Sequence, residues 1–268
     1  MLEDAFDFRE AENIFKYTLE DFFKKKFFYI HDLLLNDEEI EALNYIFEKV
    51  CNHYPLQYIF NNADFYGLSF YVDENVLIPR PETEELVHLI LSENKQDNLK
   101  LLDIGTGSGC IAIALKKNRP TWNVLAMDIS EDALEVANKN ATQNNVEINF
   151  IKQDILISHI ASLLPTFDII VSNPPYIPFN EQEKMSLSTI QHEPSKALFV
   201  PNENPLLFYD KIADFALQYL NPKGKLYVEL NEYNAEEVKK LLEQKGFIDV
   251  VIYNDLADKK RMLSAKIF

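Results

Sequence analysis

The chain has 268 residues, enough for one large α/β domain with a small partner, and its 47% hydrophobic and 26% charged content excludes a disordered, collagen-like or coiled-coil protein. Its 43 acids against 26 bases leave a net charge of -17, which disfavours direct binding to nucleic acid through nonspecific attraction to phosphates. Two cysteines, Cys51 and Cys110, make no disulfide framework, residues 1–12 are acidic where a signal peptide would be basic then apolar, and no apolar run is long enough for a membrane span, so a soluble cytoplasmic protein is expected.

In chain order, Phe8, Ala11, Phe15, Leu19 and Phe22 recur every three or four residues. Asn36 and Glu39 then form a capping-box pattern ahead of Ile40, Leu43, Phe47 and Val50. Residues 1–55 are therefore expected to form a small helical domain. Residues 1–77 contain 16 acids and 6 bases, mostly a solvated surface opposite these stripes, with Lys24, Lys25 and Lys26 as the basic triplet of this stretch. Residues 57–78 are aromatic and β-branched between the breaks Asn61-Asn62 and Asp73-Glu74-Asn75, which predicts a β-hairpin linker over 56–80. Pro79 and Pro81 bracket Arg80, and a helix opens near Glu82 or Thr83. From there to residue 268 the rhythm is strand, turn, helix. Strands are predicted at 100–104, 123–128, 148–152, 167–172, 225–230, 248–253 and 262–267, and helices at 109–117, 131–143, 205–220 and 235–245. Strands joined by helical crossovers predict an α/β fold with a doubly wound, seven-stranded, mostly parallel sheet.

The first of these strands runs into Asp103-Ile104-Gly105-Thr106-Gly107-Ser108-Gly109-Cys110, which holds three of the chain's six glycines. Glycines at a strand-to-helix turn let the backbone approach a ligand closely, at the sheet edge where open α/β folds bind one. A dinucleotide fingerprint fails here, because Cys110 stands where its third glycine belongs. S-adenosylmethionine (SAM) fits better. Asp103 can face its ammonium, and the glycine amides and the following helix N-terminus its carboxylate. Asp128, at the end of the second strand, can accept the ribose hydroxyls, and Asp154 with Ile155 can meet the adenine. The plainer alternatives are a simple turn for the glycines, a helix N-cap for Asp128 and a solvated loop acid for Asp154.

The fourth strand ends in Asn173-Pro174-Pro175-Tyr176. A planar NH2 group is a poor nucleophile because its lone pair is delocalised. The Asn173 side-chain oxygen and the Pro174 carbonyl can accept both of its hydrogens and turn the nitrogen toward a sulfonium methyl. Pro175 stiffens the loop, and Tyr176 can stack on the planar acceptor. The motif alone leaves amide and base amines open as acceptors. A nicotinamide-dependent oxidoreductase and a noncatalytic cofactor-binding protein are the alternatives from other classes.

Asn173-Pro174-Pro175-Tyr176 with residues 103–109 resembles the class I SAM-dependent methyltransferases, which are Rossmann-like and act on planar amino groups. Pro55-Leu56-Gln57-Tyr58-Ile59, Leu77-Ile78-Pro79-Arg80-Pro81-Glu82-Thr83-Glu84 and Glu193-Pro194 followed by Ala197-Leu198 are similar to the HemK/PrmC family, protein glutamine-N5 methyltransferases of peptide chain release factors. The resemblance runs from about Pro55 to the C-terminus. It implies that the acceptor is the glutamine of a Gly-Gly-Gln loop and that the N-terminal domain helps dock the release factor. It also implies that Gly105, Thr106, Gly107, Ser108, Gly109 and Asp128 serve the cofactor, and Asn173, Pro174, Pro175 and Tyr176 the cofactor or substrate.

Three positions depart from the family pattern. Asn61 and Asn231 stand where it usually has Gly, and Val200-Pro201-Asn202-Glu203-Asn204 replaces a Gly-rich stretch. None is expected to touch the cofactor loop or the acceptor motif. Arg80 is expected to be structural, pairing with Glu82 or Glu84, with contact to the partner or positioning of the substrate as the alternatives. His31, His53, His88, His159 and His192 have no metal-ligand spacing, so no metal is expected. Cys110 opens a helix, where a thiolate would be favoured, but needs no function.

Overall fold

A computed structural model describes residues 8–24, 34–157 and 164–268. Lys25 and Lys26 of the basic triplet, His31, His159 and the side chains of Phe8 and Phe22 lie outside the described residues.

Helix α1 (Phe8–Tyr17) continues into a π turn, Thr18–Phe22, and α2 (Asp37–Cys51) follows. The capping box is present: Glu39 N–H donates to Asn36 Oδ1 at 2.9 Å, and Asn36 N–H to Glu39 Oε2 at 3.0 Å. Ala11 and Ile14 pack with Ile46 and Val50. Ile40, expected on the buried stripe, is instead 45% exposed. It precedes Ile46 by six residues and so lies about 120° round the helix from it.

The linker opens with a helical turn, α3 (Leu56–Ile59), where extended chain was expected, and its hairpin is shorter than predicted: β1 (Ala63–Phe65) and β2 (Leu68–Phe70) are joined by Tyr66-Gly67, both with positive φ. Asn61, in place of the family's glycine, takes φ +49°, and its Nδ2 donates to the Val72 carbonyl at 3.0 Å. Asparagine tolerates that left-handed region, so the turn survives the exchange.

Helix α4 (Pro81–Glu93) begins at Pro81, whose fixed φ and missing N–H suit the first helical position. The main sheet contains β3 (Lys100–Ile104), β4 (Asn123–Asp128), β5 (Asn149–Lys152), β6 (Phe167–Ser172), β9 (Leu220–Glu229), β10 (Ile248–Asn254) and β11 (Lys260–Lys266). Their order is β10-β11-β9-β6-β3-β4-β5, with β11 antiparallel to both neighbours and every other pairing parallel. Strand β9 starts earlier than expected, because Leu220 already pairs with Phe167 ahead of an irregularity.

Alternation along the central strands builds two cores. Leu102, Ile170 and Val228 face α9 (Leu207–Tyr219) and α10 (Ala235–Gln244), while Leu101, Ile169 and Tyr227 face α4 and α5 (Cys110–Asn118). Helix α6 (Glu131–Gln143) crosses from β4 to β5.

Between β6 and α9 lies a region that sequence periodicity did not resolve. Here β7 (Ile177–Pro178), a 3-10 turn (Phe179–Lys184), α7 (Leu187–His192), α8 (Ser195–Leu198) and β8 (Phe199–Val200) are each too short to carry a repeat, and β7 pairs in parallel with β8. Among the described residues no helix is long and apolar enough to cross a membrane.

Gly109 sits at φ +82° where α5 meets α6, and a Cβ there would lie 3.0 Å from Ile113 Cδ1 and 3.2 Å from Ala137 Cβ. Gly109→Ala is expected to destabilise the protein by about 1–3 kcal/mol through left-handed strain and this contact, read from denaturant unfolding. An unchanged midpoint would show that the helix pair gives way freely.

Candidate active site

Strand register assembles the site. Ile104 pairs with Ser172 on one side and with Met127 on the other, so Gly105, Asn173 and Asp128 follow at three adjacent strand tips. Ser172 Oγ ties the tips of β3 and β6 by donating to the Ile104 carbonyl at 2.7 Å. Asp128 pairs with Lys152, which brings Asp154 and Ile155 to the next tip.

The glycine loop is held mainly by bonds to the end of β4. Gly105 and Thr106 N–H both donate to the Met127 carbonyl, at 2.8 and 3.0 Å, Gly109 N–H to Thr106 O at 2.8 Å, and Gly107 N–H to Asp128 Oδ2 at 2.9 Å. Buried Asn140 on α6 donates to the Ser108 carbonyl at 2.9 Å and also bonds the Tyr71 backbone, pinning the loop to the end of the hairpin. The Gly105, Gly107 and Gly109 amides, expected to face a ligand carboxylate, here donate to Met127, Asp128 and Thr106. At Gly105 and Gly107, whose φ is +72° and +54°, an added Cβ would meet no atom within 4 Å, so a side chain there would fill the open cradle.

Asp103 is fully buried. Its Oδ2 accepts from Thr106 Oγ1 at 2.7 Å, while Oδ1 has no partner among the described residues. Burial pushes its carboxyl up to about 7, against the pull of the Thr106 hydroxyl and the Ala112 N–H. An unpaired buried carboxylate oxygen costs free energy until a donor reaches it, which marks a place for a cationic or NH-bearing ligand. Burial raises the Asp128 carboxyl too, and its Oδ1 accepts from Ser130 N–H at 3.0 Å. Ser130, not Asp128, is the N-cap of α6. Asp154 Oδ1 accepts from Leu156 N–H at 2.8 Å, a local turn bond, and Ile155 packs against the core. Ile129, which sequence reasoning missed, is exposed beside Asp128 and presents apolar surface at the same tip.

The acceptor motif is tied down at both ends. Asn173 Nδ2 donates to Thr83 Oγ1 at 3.2 Å, and Tyr176 OH donates to Glu229 Oε1 at 3.0 Å. Asn231 Nδ2 donates to the Tyr176 carbonyl at 3.2 Å, so this departure from the family pattern does touch the acceptor motif, contrary to expectation. The replaced stretch reaches it at one remove: Val200 pairs with Pro178 just past the motif, and Asn202 accepts from Asn180 N–H. Thr83 and Glu229 were also missed, since the contact joins residues 146 apart in sequence.

Beside the motif opens a cavity of about 270 Å³ whose lining includes Asn173, Pro174, Tyr176, Arg80, Thr189 and Leu198. Arg80 pairs with Glu193 at 2.5 Å, not with Glu82 or Glu84, and Glu193 also accepts from Ile78 N–H at 3.1 Å. The three motif segments around Ile78, Asn173 and Glu193 thus converge on one cavity. Arg80→Ala would leave the buried Glu193 without its cation. Because Arg80 is a third exposed, a loss of about 1–3 kcal/mol is expected in denaturant unfolding, partly restored by Arg80→Lys.

Cys110 is no thiolate site, since burial pushes its thiol up to about 12. Among the described residues no group of three or more His, Cys, Asp or Glu is placed to hold a metal ion.

The family model of the methyltransferase small domain matches residues 83–199. A release factor glutamine methyltransferase of Flavobacterium psychrophilum is 43% identical over 269 residues, covering 98% of this chain and 94% of its own. One from Lactococcus lactis is 46% identical over 234 residues, covering 87% and 84%. The chain belongs to the release factor glutamine methyltransferase family. It is an enzyme, and membership of this methyltransferase family implies SAM as methyl donor. A solved methyltransferase from Pyrococcus furiosus, 19% identical, matches 86% of this chain and 98% of its own with a TM-score of 0.55, a likeness of fold. The seven-stranded sheet of this release factor glutamine methyltransferase family member is thus the class I methyltransferase architecture.

Proposed function

We propose that the enzyme moves a methyl group from SAM to the side-chain amide nitrogen, N5, of the glutamine in the Gly-Gly-Gln motif of peptide chain release factors. The observation that carries this reading is a buried Asp103 Oδ1 with no partner among the described residues, on the strand beside the one that ends just before Asn173, whose NH2 is taken by Thr83.

The residues suit the donor. Asp103, held by Thr106, would take its ammonium, and the Ser108–Cys110 start of α5 its carboxylate. Gly105, Gly107 and Gly109 leave room for it. Asp128 would accept ribose hydroxyls, and Asp154, Ile155 and Ile129 would border the adenine. When bound, SAM supplies a methyl group activated on a sulfonium. Asn173 Oδ1 and the Pro174 carbonyl accept the two amide hydrogens and turn the nitrogen lone pair toward that methyl. Pro174 and Pro175 hold these oxygens stiffly, and the Tyr176 ring walls the flat amide. With SAM bound, its sulfonium would supply the methyl to that nitrogen. The nitrogen's proton becomes acidic only then and passes to water, so no strong base is needed.

Residues 1–55 serve in this reading as a docking domain, 56–80 as a linker and 81–268 as the methyltransferase domain. A second cavity, of about 230 Å³ between Tyr45, Lys49, Asn52, Tyr54 and His192, joins α2 to α7 near the acceptor side, which supports a partner touching both parts. A release-factor substrate would put the enzyme in the cytoplasm. Incubation with methyl-labelled SAM and a release factor should place the label on the Gly-Gly-Gln glutamine; label elsewhere, or none, overturns the assignment.

A further inference from the structure

We propose that Thr83 and Glu229 are positioning residues that dictate which end of the Asn173 amide meets the substrate, and thereby select an NH2-bearing side chain over a carboxylate. The inference rests on the glutamine reading above and adds the means by which that site tells glutamine from glutamate.

The argument is one of hydrogen-bond direction. Glu229, 2% exposed at the end of β9, accepts from Thr83 Oγ1 at 2.6 Å through Oε2 and from Tyr176 OH at 3.0 Å through Oε1. A carboxylate only accepts, so the single hydroxyl proton of Thr83 is committed to Glu229. The Thr83 oxygen can then only accept from its next neighbour, Asn173, at 3.2 Å. Asn173 must therefore turn its NH2 inward and its oxygen outward, toward the cavity. The flipped amide would set Oδ1 against an oxygen whose proton points away, two acceptors in contact inside a buried site.

The chain is held from several sides. Thr83 is buried in the first turn of α4, Tyr209 OH donates to the Glu229 carbonyl at 3.0 Å, and Asn231 grips the Tyr176 carbonyl. Burial, and to a lesser degree Glu82, raise the Glu229 carboxyl, against the pull of both hydroxyls and the nearby Arg261 guanidinium. An outward oxygen receives an amide NH2; an outward NH2 would receive a carboxylate.

Three variants test this: Thr83→Ser, which keeps the hydroxyl, Thr83→Val, which removes it at nearly constant shape, and Glu229→Gln, whose own NH2 can donate where the carboxylate accepted. With a release factor as substrate, Thr83→Ser should keep turnover within about threefold of the unsubstituted enzyme, whereas the other two should lower kcat roughly 10- to 100-fold with SAM affinity little changed. A release factor carrying glutamate in place of the Gly-Gly-Gln glutamine is the second probe. Its binding relative to the glutamine form should improve about tenfold or more in Thr83→Val and Glu229→Gln, a change that simple loosening would not produce. Equal kcat and equal glutamine-to-glutamate ratios in Thr83→Ser and Thr83→Val overturn the proposal. If the unsubstituted enzyme methylates no release factor, the substrate reading fails separately. The relay is then judged on the SAM-loaded protein by exchange of the Asn173 side-chain amide protons, which should be slow with threonine or serine at position 83 and about tenfold faster with valine. No difference overturns it.

Discussion

Asn173→Ala is expected to lower the rate of methyl transfer to the release factor by roughly 10²- to 10³-fold, the usual loss when one preorganised polar group facing the reacting atoms is removed. The side-chain oxygen that would hold one amide hydrogen disappears, and the Pro174 carbonyl alone cannot orient a planar nitrogen. Burial and strand order should survive, because Asn173 is only half-buried and its one side-chain bond among the described residues is to Thr83. Single-turnover transfer of labelled methyl, with SAM binding followed by calorimetry, separates the two contributions. Turnover near that of the unsubstituted enzyme would remove Asn173 from the reaction.

Asp103→Asn is expected to weaken SAM binding by roughly 10²-fold or more, because the buried charge facing the ligand's ammonium is lost. The same carboxyl gives the unsubstituted enzyme a pH dependence whose sign is set by its elevated value of about 7, against an ordinary 3.8. Below about 7 the free protein carries a proton on Asp103 that must leave before an ammonium is accepted. Affinity should thus fall about tenfold per pH unit as the pH drops under 7, and level off above it. The stability effect runs differently. Between 3.8 and about 7 the folded state binds more protons than the unfolded chain, so this group's contribution to stability, complete below 3.8, is lost as the pH rises through 7. Asp103→Asn removes that loss. The ligand-free variant should therefore be the more stable protein at pH 8 and the poorer binder, a cost of function visible in one pair of unfolding and calorimetric curves. A variant that binds SAM normally would sink the assignment of Asp103.

Much of the fold could be read before any coordinates, and for local reasons. The short apolar runs in residues 100–104 and 167–172 and the helical period of residues 131–143 write strands and a helix directly, and the Asn36 and Glu39 capping box marks a helix start by bonds between near neighbours. Segments between 177 and 200 escaped because two- to six-residue elements hold no full period, and what orders them is packing around β7 and β8. Ile40 escaped because an apolar residue near a stripe is not buried by that fact alone: the partner helix decides which arc is covered.

For the site, the division falls between residue type and direction. Glycines, a carboxylate just before them and an Asn-Pro-Pro-Tyr motif at a strand end are chemical identities, and the sequence by itself determined their types and their places at strand tips. Only the tertiary structure decided that the loop's amides are spent on Met127 and Asp128, that Arg80 answers Glu193 and that Asn231 grips the acceptor motif. It also decided that Thr83 donates to Glu229 and takes the Asn173 NH2. The reason is physical: a hydrogen bond has a donor end and an acceptor end, and which end a side chain presents depends on neighbours that chain folding brings from as far as 146 residues away.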